Sequence, residues 1–310
     1  MKQKIIIATR KSQLAMWQTQ WVANQLKQHH PHLTIEFLGL VTQGDKILDK
    51  PLATVGGKGL FTKALEDAML EGRADIAVHS IKDIPMLLPK GFCLPVMCER
   101  ADPTDAFVSN QYASLADLPE GSCIGSSSAR RQAQVLAKYP HLDVKSVRGN
   151  VPTRLKKMDD GEYDALILAS AGLNRLGLSE RIRERLPVDS FMPAAGQGAV
   201  GIECRENDED VIALLKPLHH EPTSHCVTAE RAVSRTLGGS CEVPIAAHAI
   251  IHQKQLILHG LVGSTDGKTL LLSVEKGSLQ DAEALGEKVA KNLIQQGADE
   301  ILQKYSHHKA

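Results

Sequence analysis

Four side chains of different chemistry, His79, Ser80, Lys82 and Asp83, stand within five positions of "ADIAVHSIKDIPMLLP" (74–89), between two apolar runs. The apolar residues ahead of them predict a buried strand, and Pro85 stops any helix from following. Polar groups just beyond the carboxyl end of a strand are where open α/β sheets bind ligands. A solvated loop is the bland reading. The density of functional groups favours a site able to move protons and hold an anion.

Two further stretches carry positive charge at the same kind of place. In "GSSSARRQ" (125–132), Ser126 and Ser128 lead into a predicted helix, whose first N–H groups face an incoming anion. Arg130 and Arg131 add guanidinium forks suited to carboxylates. In "SVRGNVPTRL" (146–155), Arg148 ends a strand, Gly149 and Asn150 make the turn, and Arg154 falls in the first helical turn. A cation there opposes the helix dipole unless an anion lies near. Any one of these arginines reads as a surface residue. Their recurrence after a strand and before a helix, with Arg10 after the first strand and Lys58 in a glycine-rich loop, predicts a cationic cleft for a ligand rich in carboxylates or phosphates.

Cys241 in "TLGGSCEVPI" (236–245) follows two glycines and a serine and precedes Pro244. Glycines open backbone conformations closed to other residues, and the proline bars a continuing helix. The spacing predicts a thiol that is presented rather than packed into a core.

Three patterns are decoys. "GQGAVG" (196–201) has the glycine spacing of a dinucleotide fingerprint, but "MPAA" precedes it and a strand-like run follows. "VGGKGLF" (55–61) fails as a phosphate loop, with Leu52 where the first glycine belongs and Gly59 after the lysine. "HHEPTSHC" (219–226) fits no common zinc spacing and reads as a solvated helix start, so no metal is expected.

The elements that must position these groups alternate. Strands at 4–9, 33–41 and 74–80 enclose helices at 12–30, capped by Ser12, and at 60–72. After "CERADPTDAF" (98–107) the alternation resumes with helices at 129–139 and 151–161 and strands at 143–147 and 163–169. The Pro/Gly-rich segment 186–198 reads as a crossing between domains. From Glu221 the pattern changes to a helix at 223–237, strands near 245–252, 255–262 and 269–275, and a helix from about 280 to 296. The expected fold is two similar α/β domains and a smaller C-terminal α+β domain.

The totals bound the function. Among 310 residues, Lys+Arg 36 balance Asp+Glu 36, which argues against a general nucleic-acid or membrane binder. The six cysteines at 93, 98, 123, 204, 226 and 241 include no CxxC pair and read as free thiols of the cytoplasm. The first apolar run is too short for a signal peptide, and none approaches the length of a membrane span.

Together, "ATRKSQLAMWQ", "VTQGD", "GGKGLF", "ADIAVHSIKDIP", "RRQ", "SVRGNVPTRL", "AAGQGAVGIEC" and "ERAVSRTLGGSCEVPIA" resemble the porphobilinogen deaminase (hydroxymethylbilane synthase) family nearly end to end. The resemblance implies that Cys241 anchors a dipyrromethane cofactor through a thioether. It implies a tetrapyrrole-forming reaction in which porphobilinogen loses ammonia, four molecules condense head to tail, and water releases hydroxymethylbilane. Asp83 matches the family's catalytic aspartate, stabilising cationic pyrrole and shuttling protons.

By position in the motifs, Arg10, Ser12, Lys58, Ser80, Lys82, Ser126, Ser128, Arg130, Arg131, Arg148, Gly149, Arg154 and Arg175 would bind the pyrrole acetates and propionates. Gln197 would contact the cofactor. The family implies two periplasmic-binding-protein-like α/β domains, at 1–98 with 193–216 and at 99–192, and a third at 217–310 carrying the cysteine. Partners would be porphobilinogen and the growing polypyrrole chain, with no nucleic acid or membrane, and the protein a cytoplasmic monomer. Ala129 stands where many members have Leu, and Ser240 where many have Gly. The first changes packing rather than charge, and the motif tolerates the second.

Two other readings meet the same residues. An anion-binding protein without chemistry would be poorly served by Asp83 amid the cations. An acyl transferase with Cys241 as nucleophile needs a base, and His219, His220, His225 and His248 form no triad pattern.

Overall fold

A computed structural model of the chain describes residues 2–46, 59–239 and 243–306. Lys58 and Cys241 therefore lie outside the described residues.

The first sheet is built from β1 (Lys4–Arg10), β2 (Thr34–Leu40), β3 (Ile76–Ser80), β4 (Phe92–Met97) and, from much later in the chain, β10 (Val200–Arg205). Its order is β2-β1-β3-β10-β4, with the first three parallel and β10 antiparallel to both neighbours. The second sheet comprises β5 (Asp105–Val108), β6 (Cys123–Gly125), β7 (Asp143–Lys145), β8 (Ala165–Ala169) and β9 (Glu184–Leu186). Its order, β7-β6-β8-β5-β9, follows the same plan, with β5 the antiparallel strand. Two similar α/β units result, as expected. The third sheet is the antiparallel meander β11 (Ile245–His252), β12 (Gln255–Gly263) and β13 (Leu270–Ser278).

Helices α1 (Gln13–His29), α2 (Gln43–Lys46) and α3 (Lys63–Leu70) follow the strands of the first unit, and α4 (Ala129–Lys138), α5 (Val151–Asp159) and α6 (Ser170–Arg175) those of the second. Then come α7 (Glu209–Leu215), α8 (Glu221–Thr236), α9 (Ala282–Gln295) and α10 (Ala298–Ser306). Each α/β sheet is covered on both faces. In the first, Ile5, Ile7, Ile76 and Val78 pack with Val22 and Leu26 of α1, while Ala8 and Ala77 meet Leu65 and Met69 of α3. In the second, Ile124 and Ile167 pack with Val135 of α4, and Leu166 and Leu168 with Leu155 of α5. Apolar burial on both faces is why these strands read as continuous apolar runs rather than alternating ones. In the third unit, α8 and α9 cover one face of the meander through Val233, Leu258 and Val289.

The crossing from β9 to β10 is pinned by close approach. Gly198 has φ +90°, and a Cβ there would lie 2.6 Å from the carbonyl oxygen of Ala101. The sequence "GQGAVG" is thus a tight turn entering a strand. No helix among the described residues is long and apolar enough to cross a membrane.

Candidate active site

The functional side chains gather where the parallel strands end, because both sheets point their carboxyl edges at a shared cleft. Arg10 closes β1, Ser80 closes β3, and Lys82 and Asp83 lie in the 3-10 turn that follows. Ser12 caps α1, its Oγ accepting from the N–H of Ala15 at 3.3 Å. From the second sheet, Ser128 caps α4 by accepting from the N–H of Arg131, and Ser126 Oγ accepts from the N–H of Ser128. Asn150 caps α5 and Gly149 makes the turn before it, with φ +112° and only 2.7 Å between a would-be Cβ and Thr153. A side chain at 149 would be both strained and crowded.

Asp105, at the start of β5, holds the centre. Its carboxylate accepts from Nη1 of Arg130 at 2.8 Å, from Nη2 and Nε of Arg131 at 2.6 and 3.0 Å, and from Nε2 of Gln197 at 3.0 Å. Burial would raise its pKa, but the two guanidiniums overrule that and hold the carboxyl well below the usual range. Arg130 also donates to the carbonyl of Met192, and Arg131 to that of Ile167. Both arginines thus have part of their fork fixed inside the protein. One buried carboxylate against two guanidiniums leaves an excess of positive charge.

Lys82 adds to that excess. Its Nζ lies 3.3 Å from Oε1 of Gln197, a residue fully buried between the two sheets. Desolvation, with Arg131 and Arg130 nearby, pushes Lys82 down to about 8, against the pull of Asp83 and Asp105. Arg154, whose Nε donates to the carbonyl of Gly149, is pushed down to about 10 by burial and then by Arg131 and Arg148. Asp83 acts on Arg154 in the opposite sense, so the two strand edges interact across the cleft. Burial also lowers Arg148. Cations held against burial and like charge are poised for an anion, which would offset both.

The cleft holds two adjoining cavities. One is lined by Arg10, Ser12, Gln18, Phe61, Thr62, His79, Ser80 and Asp83. There Arg10 pairs with Asp45 and stacks 4.2 Å over the Phe61 ring, while Ser80 accepts from Gln18 at 2.8 Å. The other is lined by Lys82, Met86, Ser128, Arg130, Ala194, Ser234, Gly239, Val243 and Ile245. Gly239 and Val243 bracket the segment that carries Cys241. Arg175 stands apart from both, over the Trp17 ring and donating to the carbonyl of Gly198 at 2.7 Å.

Sequence reasoning did not single out Asp105, Asp45, Gln18, Phe61 or Met86. Asp45, Gln18 and Phe61 lie inside motifs of the family resemblance, and Met86 inside the stretch 74–89. Asp105 had no local signal, since its partners lie 25, 26 and 92 residues away.

Two family profiles match the chain: "Porphobilinogen deaminase, dipyromethane cofactor binding domain" over residues 5–213, and "Porphobilinogen deaminase, C-terminal domain" over 224–295. The chain belongs to the porphobilinogen deaminase family. The porphobilinogen deaminase of Chromobacterium violaceum is 56% identical over 299 residues, 96% of this chain and 97% of that one. That of Neisseria meningitidis is 55% identical over 299 residues, 96% of each chain. Among solved structures, the periplasmic aliphatic sulphonate binding protein of Escherichia coli matches with TM-score 0.45 and 12% identity, covering 96% of this chain and 88% of that one.

The residues present fit the cofactor that the deaminase profile names. The second cavity opens beside both ends of the Cys241 segment and presents Lys82, Ser128 and Arg130 to an acidic ligand. A thioether-bound pair of pyrroles with carboxylate arms needs a thiol at one side and cations at the other. The described lining supplies the cations, and Gly239 and Val243 flank the segment that bears the thiol.

Proposed function

We propose that the chain is the transferase that joins four porphobilinogen molecules head to tail with loss of ammonia and hydrolyses off hydroxymethylbilane. Dipyrromethane on Cys241 would supply the terminal pyrrole with a free α-carbon to which substrate is joined. The protein's own residues do the rest. Lys82, Ser128, Arg130 and Arg131 hold carboxylates at the cofactor end, with Gln197 and Ser126 fixing their positions. Arg148, Gly149 and Arg154 hold the neighbouring ring. Arg10, Ser12 and Ser80 hold the incoming substrate, with Lys58 and Arg175 as further carboxylate contacts.

Asp83 is the catalytic group. The observation that carries the reading is its place: in the substrate cavity with Arg10 and Ser12, beside Lys82, and within electrostatic reach of Arg154 across the cleft. A carboxylate there accepts from a pyrrole N–H as positive charge develops on the ring, an arrangement worth most in a site closed to water. Arg10 must leave Asp45 to take a substrate carboxylate, so Asp45 keeps the cation in place between turnovers.

Domains at 1–98 with 193–216, at 99–192 and at 217–310 belong to the same proposal, supported by sheet membership and by separate cores. So do a cytoplasmic, monomeric protein and freedom from nucleic acid and membrane, which rest on charge balance and scattered thiols. The test is porphobilinogen consumption and ammonia release by wild type and Asp83→Asn. The variant should bind pyrroles yet turn over about 10²–10³-fold more slowly. Turnover at the wild-type rate would remove Asp83 from the mechanism.

A further inference from the structure

Behind the substrate cavity lies a buried cluster that the roles above leave unused. His79 and Glu203 sit on neighbouring antiparallel strands, β3 and β10, with Nε2 and Oε2 2.8 Å apart. Glu203 is wholly buried and Glu66, on α3, is 6% exposed. Oε1 of each is buried without a hydrogen-bond partner among the described residues. Neither glutamate forms an ion pair with a lysine or arginine among the described residues, and Glu203 meets only His79. Two buried carboxyls with no fixed cation cannot both stay charged cheaply. Burial, and then the charge of Glu203, push Glu66 up from its ordinary value, against Thr62 and His79. His79 and Glu203 thus form a buried imidazole–carboxylate pair with a second carboxyl beside it. His79 and Thr62 also line the substrate cavity, so the pair has an opening to it.

The proposed reaction has a proton to place. Each condensation forms one C–C bond and breaks two others, the C–N bond of a substrate and the α-C–H bond of the acceptor pyrrole. The substrate's protonated amino group leaves with the bonding pair as ammonia, and the α-carbon keeps the electrons of its C–H bond. We propose that His79, backed by Glu203 and Glu66, takes the α-proton onto its free ring nitrogen and passes it to the ammonia, which departs as ammonium. This rests on the function proposed above, and it separates two tasks. Asp83 accepts from N–H groups at the mouth of the cavity, and His79 handles the C–H proton deeper in. The charged groups facing the imidazole are Glu203 from β10, Glu66 from α3, and, around the cavity, Arg10 and Asp83.

The experiment uses cofactor-loaded wild type, His79→Gln and Glu203→Gln, with porphobilinogen either unlabelled or deuterated at its free α-carbon. His79→Gln should lower kcat about 10²-fold with little change in KM. It should enlarge the deuterium effect on kcat, because proton removal becomes rate-limiting, and added imidazole should restore part of the rate. Glu203→Gln should lose less but show the same enlarged effect, and it carries the test alone if His79→Gln does not fold. An isotope effect equal to wild type in the folded variants, or no rescue by imidazole, would overturn the relay. Wild type that leaves porphobilinogen unconsumed would instead sink the proposed function, a different outcome.

Discussion

An ammonium kept from water beside guanidiniums gives up its proton more easily than one in solvent, and Lys82 does so near pH 8 instead of 10.5. Below about 8 it adds a positive charge to the site, and above that it does not. A bound carboxylate raises its pKa again, so binding takes up a proton in the alkaline range. The KM for porphobilinogen should stay level below about pH 8 and climb above it. In Lys82→Arg that climb should be absent. Stability moves the other way. The unfolded chain binds this proton up to 10.5 and the folded one does not, so Lys82 makes stability rise with pH between about 8 and 10.5. Parallel KM profiles for wild type and variant would contradict the assignment. Lys82 and Asp83 of the proposed site are legible in the sequence because a strand end followed by Pro85 draws attention to them by local pattern. Asp45 and Asp105 are not, because what gives them meaning is a partner far along the chain.

Strand β5 and helix α4 depend on each other through a single carboxylate. Asp105 anchors both arginines of the first helical turn, and Gln197 ties the β9–β10 crossing to the oxygen that Arg131 uses. Removing one partner of such a buried group strands the other charges without water. Asp105→Asn should therefore cost about 3–5 kcal/mol of stability, read as a lower midpoint in denaturant melts. It should also weaken binding of acidic pyrroles, since α4 is no longer held at its amino end. An unchanged midpoint would contradict this. Long periodic elements were readable: the helix expected at 12–30 is found at 13–29, and the strand at 245–252 is found there. The short strands at 92–97, 105–108 and 123–125 were not read. They have three to six residues, one contains Pro95, and none offers enough positions to show a period. The strand-like run after "GQG" is legible in the sequence, but only tertiary pairing shows that β10 lies between β3 and β4.

Across the molecule, two sheets of one plan turn their carboxyl edges toward each other, and the third unit brings Ser234, Gly239, Val243 and Ile245 to the same cavity as Lys82 and Arg130. That convergence is what the motifs foreshadowed, because each lay between a strand and a helix or next to a cysteine in a glycine-rich turn. The buried tie between the units was not foreshadowed. Glu230 of α8 accepts from Arg100, from the N–H of Gly196 and from the N–H of Ala249, joining the third unit to the segments that bear Gln197. In the function proposed above, this arrangement serves a pyrrole primer bonded to Cys241. The direct measurement is the intact mass of the purified protein beside Cys241→Ser. An excess matching two linked pyrroles, mapped to the Cys241 peptide and missing from the variant, is the predicted result. An unmodified wild type that still gains no pyrrole mass after incubation with porphobilinogen would contradict the claim.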